Sequence, residues 1–95
     1  MIERQGERCY VSGAVTHATV VALLSEGEKL FGQGRLIFDF SGVESVDSSS
    51  LSLMLEWMRR AALVGTALAF ANLGPAIRSL IDLYGLAELI PLTAE

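Results

Sequence analysis

The spacing of apolar and polar residues changes several times along the 95-residue chain, and each change marks a predicted element. Residues 2–4 and 8–12 flank Gly6, which predicts a short β-hairpin that ends at Gly13. Residues 35–40 form a β-rich apolar run bounded by glycines, which is typical of a central strand covered on at least one face. The chain therefore begins as a hairpin and continues into the middle of a sheet.

A first helix is predicted between the hairpin and the central strand. Thr16 or Thr19 can cap it, because a hydroxyl there accepts from the unpaired amides of the opening turn. Gly32 and Gly34 are expected to end it. Its apolar residues recur every three or four positions: Val20, Leu23, Leu24, Gly27, Leu30 and Phe31.

A second helix and another strand complete the middle of the chain. After a connection through Val43 and Val46, the helix opens at the serines of residues 48–50 and ends near Gly65. Residues 67–71 then predict a buried strand.

The last predicted helix starts at Pro75, where the missing N–H costs nothing, and stops at Gly85. Its inward stripe is Ile77, Leu80, Ile81 and Tyr84. Residues 89–92 predict either a final edge strand or an apolar tail. The order β-β-α-β-α-β-α, with or without that last strand, predicts an α/β fold in which helices pack on a mixed sheet, as a single domain over residues 1–95.

Composition narrows the range of partners. The net charge is -4 and the seven basic residues are scattered, so no basic patch is available to bind nucleic acid. No apolar run approaches the roughly 18 residues of a membrane span, so we expect no direct membrane insertion. The expected location is the cytoplasm, with a partner holding the chain at the inner face of the inner membrane if it is held there at all.

Enzymatic chemistry is weakly supported by the residues present. His17 has no carboxylate near it in sequence that would orient its ring, and no nucleophile elbow is found. Asp39 and Asp47 lack a third ligand for a metal, and no phosphate-binding loop occurs. Cys9, the only cysteine, is expected to fill a strand. We therefore expect no catalytic residue, metal or cofactor.

The second helix carries the most informative surface. Angles of 100° per residue place one set of apolar side chains on a predicted core side: Leu51, Met54, Leu55, Met58, Ala61 and Ala62. The opposite side carries Ser49, Ser52, Leu53, Glu56 and Arg60, with Trp57 on its flank. Glu56 and Arg60 form a favourable i,i+4 pair. Exposed Leu53 and Trp57 beside serines predict the apolar anchor of a protein interface, unless Trp57 folds over a neighbouring loop.

The serine cluster has two interpretations. Asp47 or Ser48 is the predicted cap, and capping alone accounts for hydroxyls in a first turn. The alternative is a phosphorylation switch, since the dipole at a helix start tolerates an anion whose charge would repel an acidic partner.

The segment LIFDFSGVESVDSSSLSLML resembles the STAS domain signature, in which a strand ends in aspartate and a second aspartate with small hydroxyl or glycine residues leads into a helix. In anti-sigma factor antagonists of this family a kinase modifies the second hydroxyl residue after that aspartate, which is Ser49 here. In the MlaB subunits of Mla phospholipid ABC transporters the first residue after it lies at the ATPase contact, which is Ser48 here. Ser50 replaces the glycine common to both branches.

The two branches imply different partners. The serines are more similar to the antagonists, whereas the tail LYGLAELIP resembles the Mla subunit, as do the short N-terminus and small size. We favour a non-catalytic subunit that binds and regulates the ATPase of a phospholipid-transporting ABC system, which maintains outer-membrane lipid asymmetry. The alternative is an antagonist bound and phosphorylated by an anti-sigma factor kinase. The predicted partner surface is Ser48, Ser49, Ser52, Leu53, Glu56, Trp57 and Arg60, with Ser49 and Ser48 as candidate phosphate acceptors.

Overall fold

The structure of the chain, a computed structural model, describes residues 1–32 and 34–93. Its elements are β1 (Ile2–Gln5), β2 (Arg8–Val15), α1 (Val20–Glu28), β3 (Gly34–Val46), α2 (Ser49–Leu63), β4 (Thr66–Ala71) and α3 (Pro75–Leu83). The predicted order of strands and helices is confirmed.

The four strands form one mixed sheet in the order β1-β2-β3-β4. β1 and β2 are antiparallel, whereas β2, β3 and β4 are parallel to one another. β3 therefore lies inside the sheet, as predicted. Gly13 does not end the hairpin: β2 continues to Val15 through two register irregularities, and β3 continues beside it to Val46. The glycine adopts φ +84°, so it bends the strand without ending its pairing.

The segment after α3 returns to the sheet at one position. Phe70 donates its N–H to the Pro91 oxygen at 2.9 Å, and Thr93 donates its N–H to the Phe70 oxygen at 2.9 Å. The result is a single parallel bridge between Phe70 and Leu92. The tail therefore covers the outer edge of β4 without forming a full strand.

One hydrophobic core joins the sheet to all three helices through buried side chains such as Phe38, Leu23, Met54 and Ile77. Phe38 packs edge-on against the ring of Trp57, with centroids 4.5 Å apart. Cys9 is buried in β2 as predicted, and that burial raises the pKa of its thiol above the ordinary value.

The helix ends differ from the predictions in three places. α1 begins after Thr19 but ends at Glu28, so Leu30 and Phe31 pack on the core from a turn. The Thr19 hydroxyl donates to the Ala14 oxygen at 2.8 Å instead of accepting from the first turn of the helix. Tyr84 was predicted to point inward and is 57% exposed, because α3 ends at Leu83 before the stripe is complete.

Candidate partner-binding site

The candidate site begins where β3 ends, at the carboxylate of Asp47. Asp47 Oδ1 accepts the Ser49 N–H at 2.8 Å, and Oδ2 accepts the His17 N–H at 3.0 Å. Ser48 occupies the N-cap position of α2, while Asp47 supplies the capping carboxylate. Both residues named as candidate caps therefore take part in starting the helix.

The same carboxylate joins the start of α2 to the loop between β2 and α1. His17 Nδ1 lies 3.2 Å from Asp47 Oδ2, so the fold brings to this ring a carboxylate that lies 30 positions away in sequence. The hydrogen bond from the His17 backbone is the main reason that the pKa of Asp47 falls to about 2, with the His17 ring and Ser49 adding to it and desolvation opposing it. Asp47 is therefore ionised at neutral pH and carries a permanent negative charge next to the serines.

The three serines after Asp47 occupy three different environments. Ser48 is exposed, Ser49 is partly buried, and Ser50 has no accessible surface. In the described part of the chain, the Ser50 hydroxyl has no hydrogen-bond partner. A partner protein or a kinase can therefore reach Ser48 and Ser49 on the folded chain, whereas Ser50 belongs to the core.

A groove of about 430 Å³ opens beside Ser48 between α2 and the end of α3. Ser48 and Ser52 contribute hydroxyl groups to it, and the remaining lining residues are Leu51, Leu55, Tyr84 and Leu86. Because Tyr84 is more than half exposed, it forms an accessible aromatic wall. The groove offers an apolar contact with a hydroxyl rim, which suits an apolar side chain of a partner.

The predicted outward positions of Leu53 and Trp57 are wrong. Leu53 is 3% exposed and Trp57 is fully buried. Trp57 Nε1 donates to the Leu24 oxygen of α1 at 3.3 Å, and its ring packs on Phe38. These two side chains hold α1 against α2, and they are not accessible anchors for a partner. Trp57 also does not cover a loop, which was the alternative prediction.

The physical reason is that α2 packs against α1 as well as the sheet. Gly27 of α1 faces the indole so closely that a side chain there would overlap it. The buried side of α2 is therefore centred near Trp57 and Met54, about 70° around the helix from the predicted core direction. Ala62, predicted to be buried, is exposed for the same reason.

A network of charged side chains covers the outer surface of the two helices. Arg60 Nε lies 2.8 Å from Glu56 Oε2, which confirms the predicted pair, and its Nη1 reaches Glu28 of α1 at 2.8 Å. Arg59 also donates to Glu56, and its bonds are the main reason that the pKa of Glu56 falls to about 2. Glu56 and Arg60 thus form ion pairs within the protein, and both side chains are only partly exposed.

Asp39 forms a separate polar cluster on β3. Its Oδ2 accepts from Arg8 Nε at 2.9 Å and from Asn72 Nδ2 at 2.9 Å, while Oδ1 accepts the Ser41 N–H at 2.8 Å. Burial alone would raise the pKa of Asp39, but these hydrogen bonds outweigh it and lower the pKa. Asp39 therefore connects β2, β3 and the turn after β4, and it takes no part in the surface at α2.

The described part of the chain holds neither a cluster of metal ligands nor a membrane-spanning helix. Within residues 1–32 and 34–93, no three histidine, cysteine, aspartate or glutamate side chains come together as a metal site. Across the same residues, no helix has the length and apolar character to cross a membrane.

Comparison with known proteins identifies the family. The family model described as "Mlab, STAS domain" matches residues 2–91. The chain belongs to the STAS domain family. STAS domains are in general regulatory domains that act through protein partners, without catalysis of their own. No curated protein matches this STAS domain in sequence.

Solved structures similar to this STAS domain include several anti-sigma factor antagonists. One from Mycobacterium paratuberculosis is 25% identical, with a TM-score of 0.79 over 100% of this chain and 84% of the other. The antagonist SpoIIAA in its unphosphorylated form is 20% identical, with a TM-score of 0.71 over 100% and 88%. Phosphorylated SpoIIAA from Bacillus is 22% identical, with a TM-score of 0.63 over 100% and 91%. The mixed sheet with its helices matches the fold of these proteins.

Two parts of the site were not predicted from the sequence. The contact between His17 and Asp47 follows from the pairing of Val15 with Val46, because the residues after two neighbouring parallel strands emerge at the same edge. Parallel pairing of β2 with β3 was the signal that would have revealed it. The groove wall at Tyr84 and Leu86 depends on Gly85, which turns the chain at φ +68°. It also depends on where α3 ends, and the apolar stripe of that helix does not indicate its last residue.

Proposed function

We propose that this STAS domain is a non-catalytic subunit that binds and regulates the ATPase of a phospholipid-transporting ABC system at the cytoplasmic face of the inner membrane. The observation that carries the proposal is the match to the Mlab family model over residues 2–91. The accessible start of α2 supports it, since Ser48 is exposed where the MlaB resemblance puts the ATPase contact.

The proposed contact surface is the α2 start together with the adjoining groove. Ser48 and Ser52 would contribute polar contacts, and Leu55 and Tyr84 would provide the apolar contact that Leu53 and Trp57 cannot. Partly exposed Ser49, Glu56 and Arg60 would surround this centre as a polar rim. Binding regulates the partner to the extent that the surface favours one conformation of the ATPase over another.

Co-purification with a candidate ABC ATPase from the same organism tests the proposal. Ser52→Arg places a long charged side chain at the groove, and Ser48→Glu adds charge beside Asp47. We expect each variant to weaken capture of the ATPase by more than about ten-fold, and to remove the change in ATP hydrolysis that the wild-type chain causes. Ser79→Arg makes a similar change at an exposed position of α3 and serves as the control. Full binding by both groove variants would exclude this surface.

The second candidate function is an anti-sigma factor antagonist controlled by serine phosphorylation. It is favoured by the similarity to antagonist structures, one of them 25% identical, and by the accessibility of Ser48 and Ser49. Incubation with ATP and the cognate kinase, followed by mass measurement of the wild type, Ser49→Ala and Ser48→Ala, tests it. Stoichiometric phosphate that Ser49→Ala abolishes would support this function. An unmodified wild-type chain would argue against it.

A further inference from the structure

At each of the two outer strands of the sheet, other groups of the chain occupy part of the edge. At β1, the Ile2 N–H donates to Glu26 Oε2 of α1 at 2.8 Å. At β4, Phe70 exchanges two backbone hydrogen bonds with Pro91 and Thr93. Covering of this kind is how proteins prevent another chain from pairing with an edge.

A further stretch of edge is the last part of β3, on the side that faces away from β2. Pairing with β4 stops at Asp39 and Ala71, while β3 continues for seven more residues to Val46. Among the described residues, none pairs with residues 40–46 on that side. The Ser41 N–H donates to Asp39 Oδ1 within this stretch. Unpaired strand backbone of this length is a template for another strand.

A groove of about 430 Å³ runs along this uncovered edge. Its far wall is the start of α3 at residues 74–77, and its near wall is β3 itself. The apolar lining includes Val43, Val46 and Ile77, and Glu44 is the one charged residue among the described residues that line it. The groove therefore lies beside the unpaired backbone and has both an apolar and an acidic character.

We propose that this groove binds an extended peptide segment of a partner protein, which adds a strand to the sheet beside residues 40–46. The unpaired backbone of β3 would supply the main-chain hydrogen bonds. Alternate side chains of the peptide would face Val43 and Ile77, which favours aliphatic residues, and the others would lie near Glu44, which favours lysine or arginine. The occupant is thus an extended segment that alternates aliphatic and basic residues. This site is separate from the surface at the start of α2, and the proposal does not depend on the proposed function.

Titration of the ¹⁵N-labelled chain with the capped hexapeptide KVKVKV tests the proposal by NMR. We expect saturable shifts of the amides in residues 40–46 and 76–77. The same peptide with every backbone amide N-methylated keeps its charge and side chains but cannot donate a strand hydrogen bond from either edge, and the peptide EVEVEV reverses the charge. Both are expected to bind at least about ten-fold more weakly, because one loses strand hydrogen bonds and the other faces Glu44 with like charge.

Matched variants locate the binding site. Glu44→Lys should lower the affinity for KVKVKV by about five-fold. Glu88→Lys makes an equal charge change at an exposed position outside the groove, and its affinity for the peptide should stay within about two-fold of the wild type. Ala76→Trp should fill the groove and abolish binding, whereas Ser79→Trp on the same helix should not.

Three outcomes would overturn the proposal. The first is the absence of saturable shifts in the wild-type chain. The second is equal binding of the N-methylated peptide, which would exclude strand pairing. The third is movement of the signals of residues 40–46 with protein concentration alone, which would assign the edge to a second copy of the chain.

Discussion

Gly27 and Trp57 face one another across the contact between α1 and α2, and a Cβ built on Gly27 would lie 2.5 Å from the indole nitrogen. The approach lets Trp57 reach the Leu24 carbonyl and the ring of Phe38. A glycine in a helix normally costs stability relative to alanine. Here its lack of a side chain determines how closely the two helices pack.

Gly27→Ala should therefore destabilise the chain. Alanine improves helix propensity by about 1 kcal/mol, but overpacking against a buried ring costs about 1–3 kcal/mol. Because the added methyl meets the rigid indole, we expect a net loss of about 1–2 kcal/mol in the free energy of unfolding, measured by urea denaturation. Ser25→Ala, at an exposed position of the same helix, is the control. An increase in stability for Gly27→Ala would show that the helices separate freely.

Ser50→Ala should stabilise the protein. The Ser50 hydroxyl is fully buried and has no hydrogen-bond partner in the described part of the chain, so its removal relieves a desolvation cost of about 1–3 kcal/mol. We expect the free energy of unfolding to rise by about 1 kcal/mol, with a further small gain from helix propensity. Thermal and urea unfolding measure the change, and exposed Ser52→Ala is the comparison. A loss of stability would mean that the hydroxyl has a partner, such as an ordered water molecule.

Asp39→Ala should be among the most destabilising polar substitutions. The Asp39 carboxylate is 3% exposed and accepts hydrogen bonds from Arg8, Asn72 and Ser41. Removing it leaves the guanidinium of Arg8 without this partner. Loss of one partner from a buried charged network should lower the free energy of unfolding by about 2–4 kcal/mol. Asp39→Asn retains the shape and some of the bonds, so it should lose less. Equal stability of the alanine variant and the wild type in urea would contradict this role.

The stability of the chain should decrease at acidic pH. Asp47 and Glu56 have folded-state pKa values of about 2, below their ordinary values of 3.8 and 4.5. A lowered pKa means that the folded state favours the ionised form, so the contribution is complete above about pH 4.5 and is lost as the pH falls towards 2. Urea midpoints measured from pH 7 to pH 2 test this.

Asp47→Asn gives the matched measurement for that pH dependence. The asparagine amide does not ionise, so the urea midpoint of this variant should fall less between pH 4 and pH 2 than that of the wild type. The variant is expected to start from a lower stability at pH 7. Parallel profiles of the wild type and the variant would show that Asp47 does not contribute to the acid sensitivity.

Local patterns were enough to predict the element order, the central position of β3, the buried strand at Cys9 and the helix start at the serines. These features depend on periodicity, on turn residues and on capping chemistry, all of which act over a few neighbouring positions. The pair formed by Glu56 and Arg60 is predictable for the same reason, since it lies within one helix. The STAS family assignment rests on a contiguous segment, and the match over residues 2–91 confirms it.

The orientation of α2 was decided only by tertiary packing. A helix whose apolar residues extend more than halfway around its circumference has several candidate core directions, and the choice depends on which neighbour supplies space. Gly27, 30 positions before Trp57, supplies that space, so Trp57 and Leu53 turn inward and Tyr84 and Leu55 line the accessible groove. The sequence alone determined the elements and their family. Contacts between residues distant in sequence determined which side chains of α2 a partner can reach.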